Sequence, residues 1–253
     1  MRHIVILRIG GIARGYENLS RMNRKCLPPE NANQNLWEDY GRGLERPEPK
    51  RKGGEKMLEW SRGNTKVPYR VVNMCAARDC PSRKLGLCQC PSQCYADKAE
   101  RQYPEVLPFR RRQGKFWKQA TPGTVLVAAN RMEQERTRAR SKRMRKRVLR
   151  FSEAGDFKDQ GQVNLFAIFA HRLISLGWTV YGYTARIDLD LSPMLSVGVK
   201  VNLSGDSRKL KKKTNRFLVV PVASGNNFTC PGDCSLCSVC RSVTGKTIEV
   251  VAH

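Results

Sequence analysis

Cysteines are the residues of this sequence with the most distinctive chemistry, because nine of the ten lie in two short windows. The first window covers residues 75–94, and the second covers residues 230–240. Clustered thiolates are soft ligands that suit zinc or an iron–sulfur cluster. The disulfides of a secreted protein are more often spread evenly through a smaller chain. The sequence therefore predicts two metal-binding loops.

The second window has the regular spacing Cys-x3-Cys-x2-Cys-x2-Cys, and all four of its thiolates can reach one metal centre. Its predicted ligands are Cys230, Cys234, Cys237 and Cys240. Such a set suits tetrahedral zinc and a cubane iron–sulfur cluster equally well.

The first window is less regular, and it leaves two interpretations open. Three ligands, Cys80, Cys88 and Cys94, leave one coordination position unfilled, as a reactive cluster or a catalytic zinc requires. A fourth ligand, Cys90, would instead close a structural zinc site.

The elements that must position these cysteines follow an alternating pattern. Short apolar segments that predict buried strands are separated by segments that predict helices. The predicted strands cover residues 69–73, 148–151, 179–184, 197–203, 217–222 and 247–251. This pattern predicts an α/β fold with a parallel sheet like a partial βα barrel, whose functional residues lie at the carboxyl ends of the strands.

Polar residues follow three of these strands, where they would meet at one edge of the sheet. Two of them are predicted to be catalytic, Asp156 and Arg186, since a carboxylate can accept a substrate donor and a guanidinium can clamp an anion. The predicted cofactor-binding residues are Ser152, Gly155, Thr184 and Ser204. Each group taken singly is also consistent with an ordinary turn.

The charge balance points to a polyanionic partner, with solubility alone as the simpler explanation. Lys and Arg number 47 against 22 Asp and Glu, a formal net charge of +25. Basic segments interleaved with aromatic residues predict binding to nucleic acid. The predicted contacts are Arg110, Arg111, Arg112, Lys115, Arg143, Arg145, Lys146 and Arg147.

The chain divides into two parts by composition. Residues 1–56 resemble a loosely ordered basic arm, and residues 57–253 form a cysteine-rich α/β domain. The sequence contains no apolar run of the ~20 residues that a membrane span needs, and no signal peptide is evident. We therefore expect a cytoplasmic protein with no membrane partner.

Several motifs resemble the phage gene-product-88 family, in an order that is specific and covers about residues 57–253. They are Gly63-Asn-Thr-Lys66, Cys80-Pro81, Cys94-Tyr-Ala96, the segments 85–89, 98–104, 152–157 and 181–186, and the last four cysteines with His253. The resemblance implies a bacteriophage protein that works in the host cytoplasm.

The order of cysteine loop, strand end and C-terminal cysteines is also distantly similar to radical S-adenosylmethionine enzymes. That similarity implies a 4Fe-4S cluster on three thiolates, S-adenosylmethionine as cofactor, and an enzyme that acts on or with nucleic acid. Two alternatives remain. One is a zinc-stabilised DNA- or RNA-binding module without catalysis. The other is a base-exchange, transglycosylase-like enzyme with Asp156 as nucleophile or base.

Overall fold

The computed structural model describes residues 57–89, 94–204, 213–242 and 244–251. The predicted basic arm, Cys26 and Cys90 lie outside these residues. The strands are β1 (Arg70–Val72), β2 (Val148–Phe151), β3 (Thr179–Thr184), β4 (Lys200–Leu203), β5 (Asn215–Val220), β6 (Phe228–Thr229) and β7 (Thr247–Val251). The α-helices are α1 (Pro81–Lys84), α2 (Tyr95–Gln102), α3 (Val106–Gln119), α4 (Pro122–Arg138), α5 (Gln160–Ser175), α6 (Ser192–Ser196) and α7 (Val239–Ser242).

The seven strands form one sheet in the order β1-β2-β3-β4-β5-β7-β6, and every described pair of neighbours is parallel. Strands β1 and β6 are the two edges, so the sheet is open within the described part of the chain. The predicted α/β fold with a parallel sheet is confirmed. Because the strands are parallel, their carboxyl ends lie on the same side of the sheet, which we call the carboxyl edge.

One face of the sheet carries the main apolar core. Leu149 and Phe151 alternate inward along β2 and pack against the helices. The ring centroids of Phe151 and Phe166 are 4.7 Å apart, and Trp117 packs at 5.8 Å from Phe166. Phe116 also belongs to this core. Neither Phe116 nor Trp117, the aromatic residues of the basic segment 110–118, is therefore available to stack on a base.

The other face of the sheet is covered by the second cysteine window. Tyr69 and Tyr181 belong to a small buried cluster on this face, and Cys234 and Cys240 pack against it. The rings of Tyr183 and Phe217 lie 4.7 Å apart. The two faces therefore differ in chemistry, with an aliphatic and aromatic helix layer on one side and tyrosines with thiols on the other.

Helix α4 carries only the first part of the basic segment that covers residues 131–150. It begins with a capping box between Thr121 and Thr124 and ends at Arg138, and residues 139–147 form a loop that leads into β2. The segment lacks the apolar stripe that would hold a longer helix against the core. None of the helices within the described ranges has the length and apolarity to cross a membrane.

Candidate functional site at the carboxyl edge of the sheet

The first cysteine window follows β1 directly and wraps along the carboxyl edge of the sheet. Cys80 precedes α1, whose first residue is Pro81, and Cys94 precedes α2. The backbone N–H groups of Ser82 and Arg83 act to lower the pKa of the Cys80 thiol, and those of Ala96 and Asp97 act in the same way on Cys94. Such N–H groups favour a thiolate, the form that binds metals.

The thiols of this window lie close enough to influence one another. Cys88 hydrogen-bonds to Cys80, and this bond lowers the pKa of Cys80 against the opposing effect of burial. The same bond raises the pKa of Cys88 well above its usual range, and burial raises the pKa of Cys94. A bound cation would offset the cost of ionising several buried thiols together, so the donor chemistry fits a metal.

The positions of the side chains alone do not yet make a metal centre. Among the residues that the structure describes, no three or more His, Cys, Asp or Glu side chains are arranged to hold one metal ion. Metal binding by either cysteine window therefore stays a prediction.

Asp156 lies beside this cysteine window, with its carboxylate buried and fully hydrogen-bonded. Its oxygens accept bonds from the hydroxyls of Ser82 and Thr184, both at 2.7 Å. The backbone N–H groups of Phe157 and Ala185 donate to it at 2.9 and 2.8 Å. Burial raises the pKa of Asp156, although each of these bonds acts to lower it. Asp156 thus joins the cysteine loop to the ends of β2 and β3.

Arg186 is engaged in a separate set of contacts. Its guanidinium forms two hydrogen bonds with Asp188, at 2.8 and 2.7 Å, and donates to the carbonyl groups of Phe157 and Lys158. These hydrogen bonds engage the guanidinium group of Arg186 within the protein and fix the segment after β2. In this arrangement Asp156 and Arg186 are positioning residues rather than groups exposed to a ligand.

The predicted cofactor-binding residues differ in the hydrogen bonds that their polar groups make within the protein. The Thr184 hydroxyl donates to Asp156 and accepts from the Arg186 N–H at 3.0 Å. Ser204 is half-buried, and its N–H donates to the Thr184 carbonyl at 2.9 Å. Ser152 is only 8% exposed, yet its hydroxyl has no hydrogen-bond partner within the described residues.

Gly155 is required by its contact with the cysteine window. It adopts a φ of +64°, and a Cβ there would lie 2.4 Å from the sulfur of Cys75 and 2.3 Å from its carbonyl oxygen. Any side chain at this position would push the end of β2 away from Cys75. Ser152 also has a positive φ, 53°, which is uncommon for a residue other than glycine.

The second cysteine window lines a pocket on the opposite face of the sheet. Tyr181, Tyr183 and Arg241 line the pocket together with all four of its cysteines, Cys230, Cys234, Cys237 and Cys240. Sequence reasoning missed Arg150, which lies over the Tyr183 ring at 4.9 Å. The period of two along β2 and β3 could have placed Arg150, Tyr181 and Tyr183 on one face, away from the helices.

The predicted nucleic-acid-binding residues of α3 are not equivalent. Arg110 is 1% exposed and pairs with Glu100 at 3.1 Å inside the protein. It therefore serves as an internal ion-pair partner. Arg111, Arg112 and Lys115 are exposed. Arg111 pairs with Asp79 at 3.4 Å, and Arg112 pairs with Glu59 at 2.9 Å.

The predicted residues of the loop 139–147 remain at the surface, although some make local contacts. Arg145 and Lys146 are exposed. Arg145 donates to the carbonyl of Ala139, and Lys146 lies over the Tyr69 ring. Arg143 is half-buried and donates to the carbonyl of Arg62, and Arg147 pairs with Glu133 at 3.1 Å.

Comparison with known proteins adds a family to this description. No curated protein and no solved structure matches the chain. The similarity to radical S-adenosylmethionine enzymes thus stays a hypothesis. The family model described as Gene product 88 matches residues 37–229, a span that begins before the described residues and ends directly before Cys230. Because this span is well over half of the sequence, the chain belongs to the gene product 88 family.

Proposed function

We propose that this protein is an enzyme that uses a metal cluster at the carboxyl edge of its sheet to act on nucleic acid. The observation that carries the proposal is the hydrogen bond from Ser82 to Asp156, which ties the cysteine loop to the ends of β2 and β3. Parallel α/β sheets bind their ligands at this edge. The cysteines and the polar strand ends therefore belong to one site.

The thiolates of Cys80, Cys88 and Cys94 would hold a 4Fe-4S cluster, and S-adenosylmethionine would be the cofactor. When bound, such a cluster would supply an electron for reductive cleavage of that cofactor. Within the protein, Asp156 holds the loop in place, and Arg186 fixes the segment after β2. The hydroxyl of Ser152, at the same edge, is buried and has no hydrogen-bond partner within the described residues.

The exposed basic loop supports nucleic acid as the substrate. Arg145 and Lys146 are exposed in a chain whose formal net charge is +25. Cationic side chains at a surface bind phosphates and release counterions, which makes binding depend on salt. This loop precedes β2, so it lies at the amino end of that strand, whereas the cysteine window lies at the carboxyl end.

A second candidate is a zinc-stabilised module that binds DNA or RNA without catalysis. It is favoured because the polar groups of Asp156 and Arg186 are hydrogen-bonded to other parts of the protein. The same contacts weigh against Asp156 as the nucleophile of a base-exchange enzyme, because a nucleophile needs an accessible oxygen.

The two candidates are separated by anaerobic purification of the full chain, followed by iron, sulfide and zinc analysis. The enzyme proposal predicts a brown protein whose iron falls in Cys80→Ser, Cys88→Ser and Cys94→Ser. Cys26→Ser, outside both windows, is the matched control and should keep its iron. After reduction by dithionite, the wild type should release methionine from S-adenosylmethionine. A colourless protein with stoichiometric zinc and no methionine release would instead establish the binding module.

A further inference from the structure

We propose that Cys230, Cys234, Cys237 and Cys240 hold a second metal centre, set into the open face of the sheet, and that Arg150 and Arg241 are its counter-charges. This site is independent of the first window and of the proposed activity. Its occupant is a soft metal ion or cluster ligated by four thiolates, which means zinc or an iron–sulfur cluster.

The pocket is the first observation. All four cysteines of the window line one cavity, and each is half-buried. Hydrogen bonds hold the segment at its start, in its middle and at its end. The Cys230 N–H donates to the Glu249 carbonyl of β7 at 2.7 Å, and the Cys234 N–H donates to the Lys66 carbonyl at 2.8 Å. At the end of the segment, the Asn202 side chain donates to the Cys240 carbonyl at 3.1 Å.

Tyrosine side chains that line the pocket beside the cysteines are the second observation. Tyr181 is 1% exposed and lies next to the Cys234 side chain. Its hydroxyl lacks a well-aligned hydrogen-bond partner among the described residues. The Tyr183 side chain lines the same pocket and acts to lower the pKa of the Cys240 thiol. A buried hydroxyl without a strong acceptor costs free energy, and a metal-bound thiolate would supply that acceptor.

The cationic side chains around the pocket are the third observation. Arg241 donates to the carbonyl groups of Cys234 and Cys237, both at 3.0 Å, and lines the pocket. Arg150 lies within electrostatic range of Cys230 and Cys240. The Nε of Arg150 has no hydrogen-bond partner in the described part of the chain.

Cationic side chains near the pocket would offset the charge of a bound metal centre. Four thiolates around Zn²⁺, or around an oxidised 4Fe-4S cluster, carry a net charge of about −2. The guanidinium groups of Arg150 and Arg241 offset part of it, and the Glu153 carboxylate also acts on Arg150. Asp233, the carboxylate that also lines the pocket, is already occupied by a hydrogen bond from the Ser235 N–H at 2.7 Å. The site thus has cations placed for thiolates rather than for neutral thiols.

The experiment uses the full chain with Cys80, Cys88 and Cys94 all replaced by Ser, so that the predicted three-ligand set of the first window is removed. Cobalt(II) is the probe, because thiolate coordination produces intense charge-transfer absorption. One equivalent of cobalt should bind, and zinc should displace it. Adding Cys237→Ser should remove the band. Arg150→Gln, Arg241→Gln and Tyr181→Phe should each weaken the affinity about 10–100-fold, as substitutions next to metal ligands do. Lys142→Gln removes an equal charge from the exposed loop and should leave the affinity unchanged.

A second measurement covers the case in which the triple variant does not fold. Metal content of the wild type purified anaerobically is compared with that of Cys237→Ser alone, which should lose the share of metal held by the second window. Absence of a cobalt–thiolate band in a folded triple variant, or an unchanged metal content in Cys237→Ser, would overturn the proposal. Failure of the proposed enzyme activity would leave both of these results unaffected.

Discussion

Ser82, in the first cysteine window, donates a hydrogen bond of 2.7 Å to Asp156, which follows β2 at the carboxyl edge of the sheet. The two residues are 74 positions apart in the sequence. Ser82 is 1% exposed and lies in α1, between Cys80 and Cys88. This contact fixes the cysteine loop to the strand ends, and the first prediction tests it.

Ser82→Ala should lower the free energy of unfolding by about 1.5–3 kcal/mol, the usual effect of losing a hydrogen bond to a charged group. The substitution should also reduce metal retention by the first window, because Cys80 and Cys88 would lose their anchor. Urea unfolding and metal analysis provide the two measurements. Ser175→Ala, at the exposed end of α5, removes a hydroxyl bonded only to its own helix and is the control. Equal stability of the two variants would contradict the anchoring role.

Gly155→Ala should destabilise the protein much more than Gly86→Ala. Both glycines have a positive φ, +64° and +69°, so both variants carry the same backbone strain of about 1–2 kcal/mol. Only at Gly155 does the new Cβ meet Cys75, whereas nothing lies within 4 Å of a Cβ at Gly86. The clash should add about 1–3 kcal/mol. Chemical denaturation of both variants measures the difference, and a difference near zero would show that the strand end can move away from Cys75.

Glu133→Gln should make the free energy of unfolding less dependent on pH in acidic solution. Hydrogen bonds from Arg136, and also from Trp178 and Arg147, hold the pKa of Glu133 at about 2. Because the pKa is lower in the folded protein than in the unfolded chain, this carboxylate stabilises the fold above about pH 4.3. That stabilisation is lost as the pH falls towards 2.

Thermal unfolding of the wild type and Glu133→Gln across this pH range tests the expectation. The variant should be less stable at pH 7, and the gap should close as the pH falls through the range from about 4.3 to about 2. Arg136→Gln removes the largest cause of the lowered pKa of Glu133. It should therefore also make the free energy of unfolding less dependent on pH in this range. A gap that stays constant across the range would show that Glu133 titrates normally in the folded protein.

Replacing the exposed cations Arg145 and Lys146 with Gln should weaken nucleic-acid binding. For each phosphate group that the variant no longer binds, the logarithmic salt slope should fall by about 0.7–0.9. The affinity for a DNA duplex and for single-stranded RNA, measured at several salt concentrations, provides the slope. An unchanged affinity and slope would assign the loop to solubility alone.

The matched change inside the protein separates surface charge from folding. Arg110→Gln removes one positive charge from a buried pair with Glu100, which also accepts a hydrogen bond from the Ala77 N–H at 2.6 Å. Breaking such a pair should cost about 3–5 kcal/mol of stability. The fraction that remains folded should bind nucleic acid with the salt slope of the wild type.

Local sequence patterns predicted most of the sheet. Strands β2, β3 and β7 have the bounds that the apolar runs indicated. The predicted strand at 197–203 begins only at Lys200, because Gly198 makes a turn with a φ of +97°. Strand β5 ends at Val220, directly before Pro221, since proline lacks the N–H that the ladder needs.

The sequence by itself determined the types and spacing of the cysteines, the excess of positive charge and the alternation of strands and helices. These follow from local chemistry and periodicity along the chain. Only the tertiary structure decided which groups meet. It buried Arg110, occupied the polar groups of Asp156 and Arg186, and brought Arg150 towards the second cysteine window. Such outcomes depend on partners far away in the sequence, because packing, rather than periodicity, determines which donor reaches which acceptor.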